Sequence, residues 1–232
     1  MIKENGLELL RKALNNPNAE FRDGQWEAID YLVNKKKKLL VVERTGWGKS
    51  SVYFISTRIL RDQNKGVTII ISPLLALMRN QVEAAERLGI NAISINSTNT
   101  EDWEVHKQAV LNNQIDALLI SPERLANDKF MDNVLRPIAD RIGLFVVDEA
   151  HCISDWGHDF RPDYRRIVNI LKFMPAGMPV LGTTATENKR VCEDIVSQLG
   201  DIEMIRGTLT RKSLILQNIK LKDQASRLAW LK

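Results

Sequence analysis

Seven short apolar runs recur along the chain, at residues 39–42, 67–71, 92–95, 117–120, 144–147, 180–183 and 204–205. They are rich in Val, Ile and Leu and show no clean alternation with polar residues. Strands buried on both faces of a parallel sheet read this way. Between them lie longer amphipathic stretches, among them 74–88, 103–112 and 188–199, whose spacing predicts helices. Strand–helix–strand repetition predicts an α/β fold, a mostly parallel sheet with helices on both faces and right-handed crossovers. The first 35 residues read as helical, broken by the turn composition of Asn15, Asn16, Pro17 and Asn18. After Thr208 the pattern changes: 213–221 reads as extended and 223–232 as the beginning of a helix. One domain is therefore expected over 1–207, with 208–232 a linker and the start of a second domain.

Composition narrows the class. Of 232 residues, 44% are hydrophobic and 27% charged, the balance of a globular domain with a buried core. The apolar runs are too short to cross a bilayer, and residues 1–5 carry Lys3 and Glu4 with no apolar stretch behind them. Neither a membrane span nor a secretory leader is expected, and the protein reads as cytoplasmic. Cys152 and Cys192 are the only cysteines and form no C-x-x-C pair, which argues against a disulfide scaffold. The net charge of +4 is compatible with a polyanionic partner without requiring one. The basic run at 35–38 reads as a solvated turn before the first strand.

The first predicted strand runs into Glu43, Arg44, Thr45, Gly46, Trp47, Gly48, Lys49 and Ser50, and a helical pattern follows. Strand, glycine-containing loop, then Gly-Lys-Ser opening a helix is a phosphate-binding arrangement. Gly46 and Gly48 let the backbone turn so that its N–H groups converge on phosphate oxygens, and the helix N-terminus adds its dipole. Lys49 is placed to bridge the β- and γ-phosphates of ATP, and the Ser50 hydroxyl to hold Mg²⁺. Thr45 to Ser51 form the candidate nucleotide-binding segment. The full phosphate-loop pattern has glycine where this chain has Glu43.

A second constellation follows the fifth run, which ends in Asp148, Glu149, Ala150 and His151. A carboxylate at the C-terminal end of a buried strand faces the crevice where open α/β sheets bind ligands. Asp148 can hold Mg²⁺, and Glu149 is placed to orient and deprotonate an attacking water. His151, Cys152 and His158 fall short of the four ligands that a structural zinc site needs.

These residues carry a resemblance. Asp148-Glu149-Ala150-His151 is the DEAH form of the superfamily-two helicase box. The segment from Cys152 through Asp155, Trp156, Gly157, His158, Asp159, Phe160 and Arg161 to Tyr164 resembles the aromatic-rich loop of RecQ-like DNA helicases. Asp155 stands where that family usually has glutamine. The resemblance implies a RecA-like P-loop NTPase lobe that uses ATP and Mg²⁺, with His151 added to the catalytic set of Lys49, Asp148 and Glu149. It implies that Trp156, His158, Phe160 and Arg161 sense single-stranded DNA and couple it to hydrolysis. Aromatic rings that stack on bases and an arginine that meets phosphate suit that task, although lone aromatics more often belong to a core.

Further matches fall in family order. Phe21 to Gln25 resembles the motif that reads adenine, with Arg22 and Gln25 as its nucleotide contacts and no aromatic residue upstream to stack on the base. Ser72, Pro73 and Leu74, continuing to Gln81, and Pro122 with Arg124 follow the second and fourth runs, where helix N-termini can meet DNA phosphates. Arg124 serves equally as a structural ion-pair partner. Thr183, Thr184, Ala185 and Thr186 resemble the motif linking hydrolysis to strand movement, with Thr184 and Thr186 as its site residues, at a strand end where threonines also cap helices. The resemblance covers residues 21–206 and implies 3′-to-5′ unwinding of DNA by a full-length protein with a second RecA-like lobe in cis. Residues 208–232 do not supply that lobe, so this stretch alone is not expected to unwind DNA. The alternatives are a non-hydrolysing ATP- or DNA-binding assembly module, and an RNA helicase or duplex translocase.

Overall fold

In the computed structural model of the protein the described residues are 2–95, 103–156, 160–186, 188–209 and 218–230. The seven apolar runs form seven strands: β1 (Lys38–Val42), β2 (Thr68–Ile71), β3 (Ala92–Ile95), β4 (Ala117–Ile120), β5 (Leu144–Val147), β6 (Val180–Thr184) and β7 (Glu203–Arg206). They make one all-parallel sheet in the order β3-β4-β2-β5-β6-β1-β7.

Alternation is present along the inner strands, but both of their faces are dry, whereas the edge strand β7 is largely exposed. Leu39, Val41, Ile70, Leu144 and Val146 point into one apolar cluster, whereas Leu40, Val42, Ile69, Ile71, Phe145 and Val147 point into the other. A side-chain period of two therefore produces a continuous apolar run, because helices cover both sides. The first face is covered by α1 (Lys3–Leu14), α2 (Gln25–Val33), α3 (Lys49–Asp62) and α4 (Leu75–Glu86). The second carries α5 (Trp103–Leu111), the short α6 (Asp128–Phe130) with the turns that follow it, α7 (Arg165–Leu171) and α8 (Lys189–Leu199). A last helix, α9 (Gln224–Trp230), buries none of its residues.

Asn15 closes α1 in the left-handed region, at φ 48°, where the turn was expected. The basic run before β1 is tied locally. Lys35 pairs with Asp30 and lies over Tyr31, Lys37 pairs with Glu203, and Lys38 donates to the Leu199 carbonyl. Both cysteines are buried and free. No described helix is long and apolar enough to cross a membrane. The expected extended segment at 213–221 lies mostly outside the described residues.

Two local expectations are corrected. The threonines after β6 do not cap α8. Asn188 does, its side chain accepting from the Arg190 and Val191 N–H groups, and this leaves Thr183 and Thr184 to bond inward. The segment after β4 opens a five-residue 3-10 helix, Pro122–Ala126, and not an α-helix N-terminus. Proline at its first position removes the first N–H donor.

Candidate nucleotide and coupling site

The C-terminal ends of β1 and β5 bring the two chemical motifs together. Gly46 (φ 83°) and Gly48 (φ 100°) are both left-handed, a region where a Cβ is strained. A Cβ on Gly48 would also meet Gln25 Nε2 at 2.6 Å. The loop between β1 and α3 thus turns as tightly as phosphate binding needs. Thr45, Gly46, Gly48, Lys49 and Ser50 line a cleft of about 330 Å³ with Tyr53, Gln81, Asp148 and Glu149. Arg22, Gln25, Trp47 and Ser51 stand outside that lining.

Trp47 is 4% exposed and packs into the core, with its indole N–H donating to the Asp23 carbonyl at 3.2 Å. Gln25 is equally buried. Its Oε1 accepts from the Arg22 N–H at 2.8 Å, and its Nε2 donates to the Trp47 carbonyl at 2.8 Å. Arg22 also donates to the Gly46 carbonyl. The expected adenine-reading turn is therefore latched to the phosphate loop, and Gln25 must give up or share these bonds to read a base. Lys49 Nζ donates to the Glu43 carbonyl at 2.7 Å. The Glu43 side chain is buried and packs against the backbone of Gly207, just beyond β7. Burial pushes the Glu43 carboxyl up, opposed by the Arg44 N–H and by Lys49. Burial pulls the Lys49 amine down, opposed by the charges of Glu149, Asp148 and Glu43.

Asp148 is held by three donors. Its Oδ1 accepts from Thr183 Oγ1 at 2.6 Å and from the Glu149 N–H at 3.1 Å, and its Oδ2 accepts from Gln81 Nε2 at 3.0 Å. Burial still raises its carboxyl above the usual range. Gln81 Nε2 also reaches the buried Tyr53 hydroxyl at 3.0 Å, while Gln81 Oε1 is buried without a hydrogen-bond partner. Oxygen donors from Ser50 and Asp148, with an unpartnered amide oxygen beside them, suit a hard divalent cation. Among the described residues no group of three or more His, Cys, Asp or Glu side chains forms a metal cage. A Mg²⁺ ion, which favours one or two carboxylates plus phosphate and water, needs none.

Glu149 takes a left-handed conformation, φ 50° and ψ 49°, that costs a non-glycine residue of order 1 kcal/mol. The turn aims its carboxylate at His151, whose Nδ1 lies 3.2 Å from both Glu149 Oε2 and Thr184 Oγ1. Thr184 Oγ1 accepts in turn from the Thr186 N–H at 3.3 Å. Sequence reasoning gave roles to Thr184 and Thr186, placed Thr183, Gln81 and Tyr164 within motifs without a role, and missed Tyr53. Tyr53 was legible as one helical turn beyond Lys49. The pairing of Gln81 with Asp148 had no local signal.

The described residues expected to couple DNA binding to hydrolysis lie near the same rim. Trp156 is 55% exposed, and Phe160 is half-buried. His158 lies outside the described residues. Arg161 staples three motifs. Its N–H donates to the Cys152 carbonyl at 3.0 Å, its guanidinium donates to the Pro73 carbonyl at 3.2 Å, and it lies 3.8 Å from Glu123. The Tyr164 hydroxyl donates to the Asp148 carbonyl at 2.9 Å, which fixes the end of the segment to the acidic strand. Ser72, Pro73 and Pro122 are buried, whereas Leu74 is 42% exposed. Arg124 is half-buried and its guanidinium lies over the Trp103 ring at 5.2 Å, a structural cation–π contact.

A phosphate loop after β1 and an acidic pair after β5 of a parallel sheet define a P-loop nucleotide-binding domain with RecA-like topology. The DEAD/DEAH box helicase family matches residues 22–195, and the chain belongs to that family. It is 38% identical over 182 residues to ATP-dependent DNA helicase RecQ of Bacillus subtilis, covering 78% of this chain and 29% of that protein. Against ATP-dependent helicase SGS1 of Saccharomyces cerevisiae the identity is 36%, over 77% of this chain and 12% of that protein. The chain thus spans under a third of the length of the curated relatives it matches. Among solved structures, a hypothetical ATP-dependent RNA helicase from Sulfolobus tokodaii aligns with TM-score 0.64 at 17% identity, over 89% of this chain and 57% of that one. The Pyrococcus furiosus Hef helicase domain aligns with TM-score 0.59 at 19% identity, over 78% and 37%. At such identities the two structures speak for the fold.

Proposed function

We propose that residues 1–207 are the first motor lobe of an ATP-dependent DNA helicase, followed in 208–232 by the approach to a second lobe in cis. The reading rests on one observation above the others. The residues that would handle ATP and those that would meet DNA are joined by short, direct contacts on one rim of the sheet. Glu149, His151, Thr184 and Thr186 follow one another at hydrogen-bond distance, and Tyr164 joins the aromatic segment to Asp148.

In this reading the backbone of the Gly46–Gly48 turn and Lys49 bind the phosphates of ATP, and Ser50 and Asp148 would hold Mg²⁺. A bound Mg²⁺ would supply charge neutralisation to the phosphates. Glu149 orients the attacking water and takes its proton, with His151 fixing the direction of the carboxylate. Asp148 is kept in place by Thr183 and Gln81, and Tyr53 steadies Gln81 from below. Trp156, His158, Phe160 and Arg161 receive single-stranded DNA, with Ser72 to Leu74, Pro122 and Arg124 along the same path. The names of the relatives favour DNA over RNA as the partner, and the 3′-to-5′ direction follows from the resemblance to RecQ-like enzymes.

Strand displacement by the full-length protein tests the reading. Unwinding of a 3′-tailed duplex is expected with ATP and Mg²⁺, and none of a 5′-tailed duplex or after chelation. Equal activity on an RNA duplex, or on both tails, would replace the DNA reading by the broader one.

A further inference from the structure

This inference rests on the DNA-motor reading above. Trp156 sits in neither apolar cluster, and more than half of its surface is exposed. Its ring nevertheless has a partner. The Arg190 guanidinium lies 3.2 Å from the ring centroid, within the range of a cation–π stack. Arg190 belongs to the first turn of α8, and its own N–H is fixed by the Asn188 cap. A guanidinium plane against one ring face leaves the other face for a flat partner. Bases stack on such platforms, and arginine adds a contact to the neighbouring phosphate.

We propose that Arg190 is the positioning residue of the DNA-coupling segment. It backs the Trp156 ring and carries the ring's occupation through α8 to the ATP site. The path is contiguous. Within the same helix, Cys192 Sγ donates to the Thr186 carbonyl at 3.9 Å. The Thr186 N–H reaches Thr184 Oγ1, Thr184 meets His151 Nδ1, and His151 meets Glu149 Oε2. Phe160 has a second guanidinium, Arg165 of α7 at 5.5 Å, itself paired with Asp155. Both aromatics are thus held from neighbouring helices, and α8 is the helix that begins where Thr184 and Thr186 end. Spatial continuity alone does not establish coupling, so the test is a double-mutant cycle.

ATP turnover by the full-length protein is measured against single-stranded DNA concentration for wild type, Arg190→Ala, Arg190→Lys, Trp156→Ala and the double variant. Arg190→Ala raises the half-stimulating DNA concentration by about fivefold, the upper end for an exposed cation–π contact. Arg190→Lys, which keeps the charge but loses the flat fork, raises it by roughly threefold. The double variant matches Trp156→Ala alone. A wild-type curve for Arg190→Ala, or losses that multiply in the double variant, overturns the inference and leaves the DNA-motor reading standing. Absence of DNA stimulation in the wild type overturns both. A second readout needs no DNA: Arg190→Ala shifts the tryptophan emission of the wild type but not that of Trp156→Phe. An unchanged emission in the wild type overturns the contact itself.

Discussion

The phosphate loop and the Trp156 segment share one edge of the sheet but are held by different means. The loop is set by backbone geometry and burial: two left-handed glycines, a core tryptophan and a latched Gln25 leave it little freedom. The Trp156 segment is held by guanidinium groups, with Arg190 on Trp156, Arg165 on Phe160 and Arg161 on the Pro73 carbonyl. Contacts of the first kind are worth several kcal/mol and survive solvent exchange. Those of the second kind are worth about 1 kcal/mol or less when exposed. A motor needs both, a rigid site for chemistry and a nearby element that a ligand can move at small cost.

Substitutions can break or sharpen that contrast. Lys49→Ala in the rigid region removes the amine that would meet the phosphates, and steady-state phosphate release falls by roughly 100-fold or more. Trp47→Ala leaves a cavity beneath the same loop. It costs about 3–5 kcal/mol, read as a lower denaturation midpoint, and removes the indole bond to the Asp23 carbonyl.

Asp148→Asn runs the other way. Burial raises the Asp148 carboxyl above its unfolded value, so its ionised form costs stability at neutral pH. That cost disappears as the pH falls through the folded value. The variant is therefore inactive yet more stable at neutral pH, by about 1 kcal/mol or roughly 2–4 °C in Tm, and gains nothing in acid. A loss of Tm at neutral pH would mean that the bonds from Thr183 and Gln81 outweigh burial. The smallest effect belongs to the guanidinium-held region. Arg165→Ala breaks an exposed pair with Asp155 and costs less than about 0.5 kcal/mol, or under about 2 °C in Tm.

The same contrast explains what the sequence revealed. Strand positions were legible because apolar runs buried on both faces are local signals, and the run at 144–147 became β5 residue for residue. Gly46, Gly48, Lys49 and the acidic pair were legible because their chemistry demands fixed spacing next to a strand. Trp47 read as part of the nucleotide-binding segment because its burial depends on the distant Asp23. Gln25 looked like a free amide because its bond to Trp47 spans 22 residues. The Arg190–Trp156 stack and the Gln81–Asp148 bond join separate helices to separate loops, and no period or motif announces them. Asn188 took the capping role from the threonines because their hydroxyls already serve Asp148 and His151.

The most direct test of a motor driven from this rim is ATP turnover by the full-length protein, with and without single-stranded DNA, for wild type and Glu149→Gln. The account predicts DNA-stimulated hydrolysis in the wild type and a loss of roughly 100-fold or more in Glu149→Gln, with ATP still bound. A wild type that binds ATP but does not hydrolyse it under any of these conditions would contradict the account. The domain would then be a nucleotide-binding assembly module.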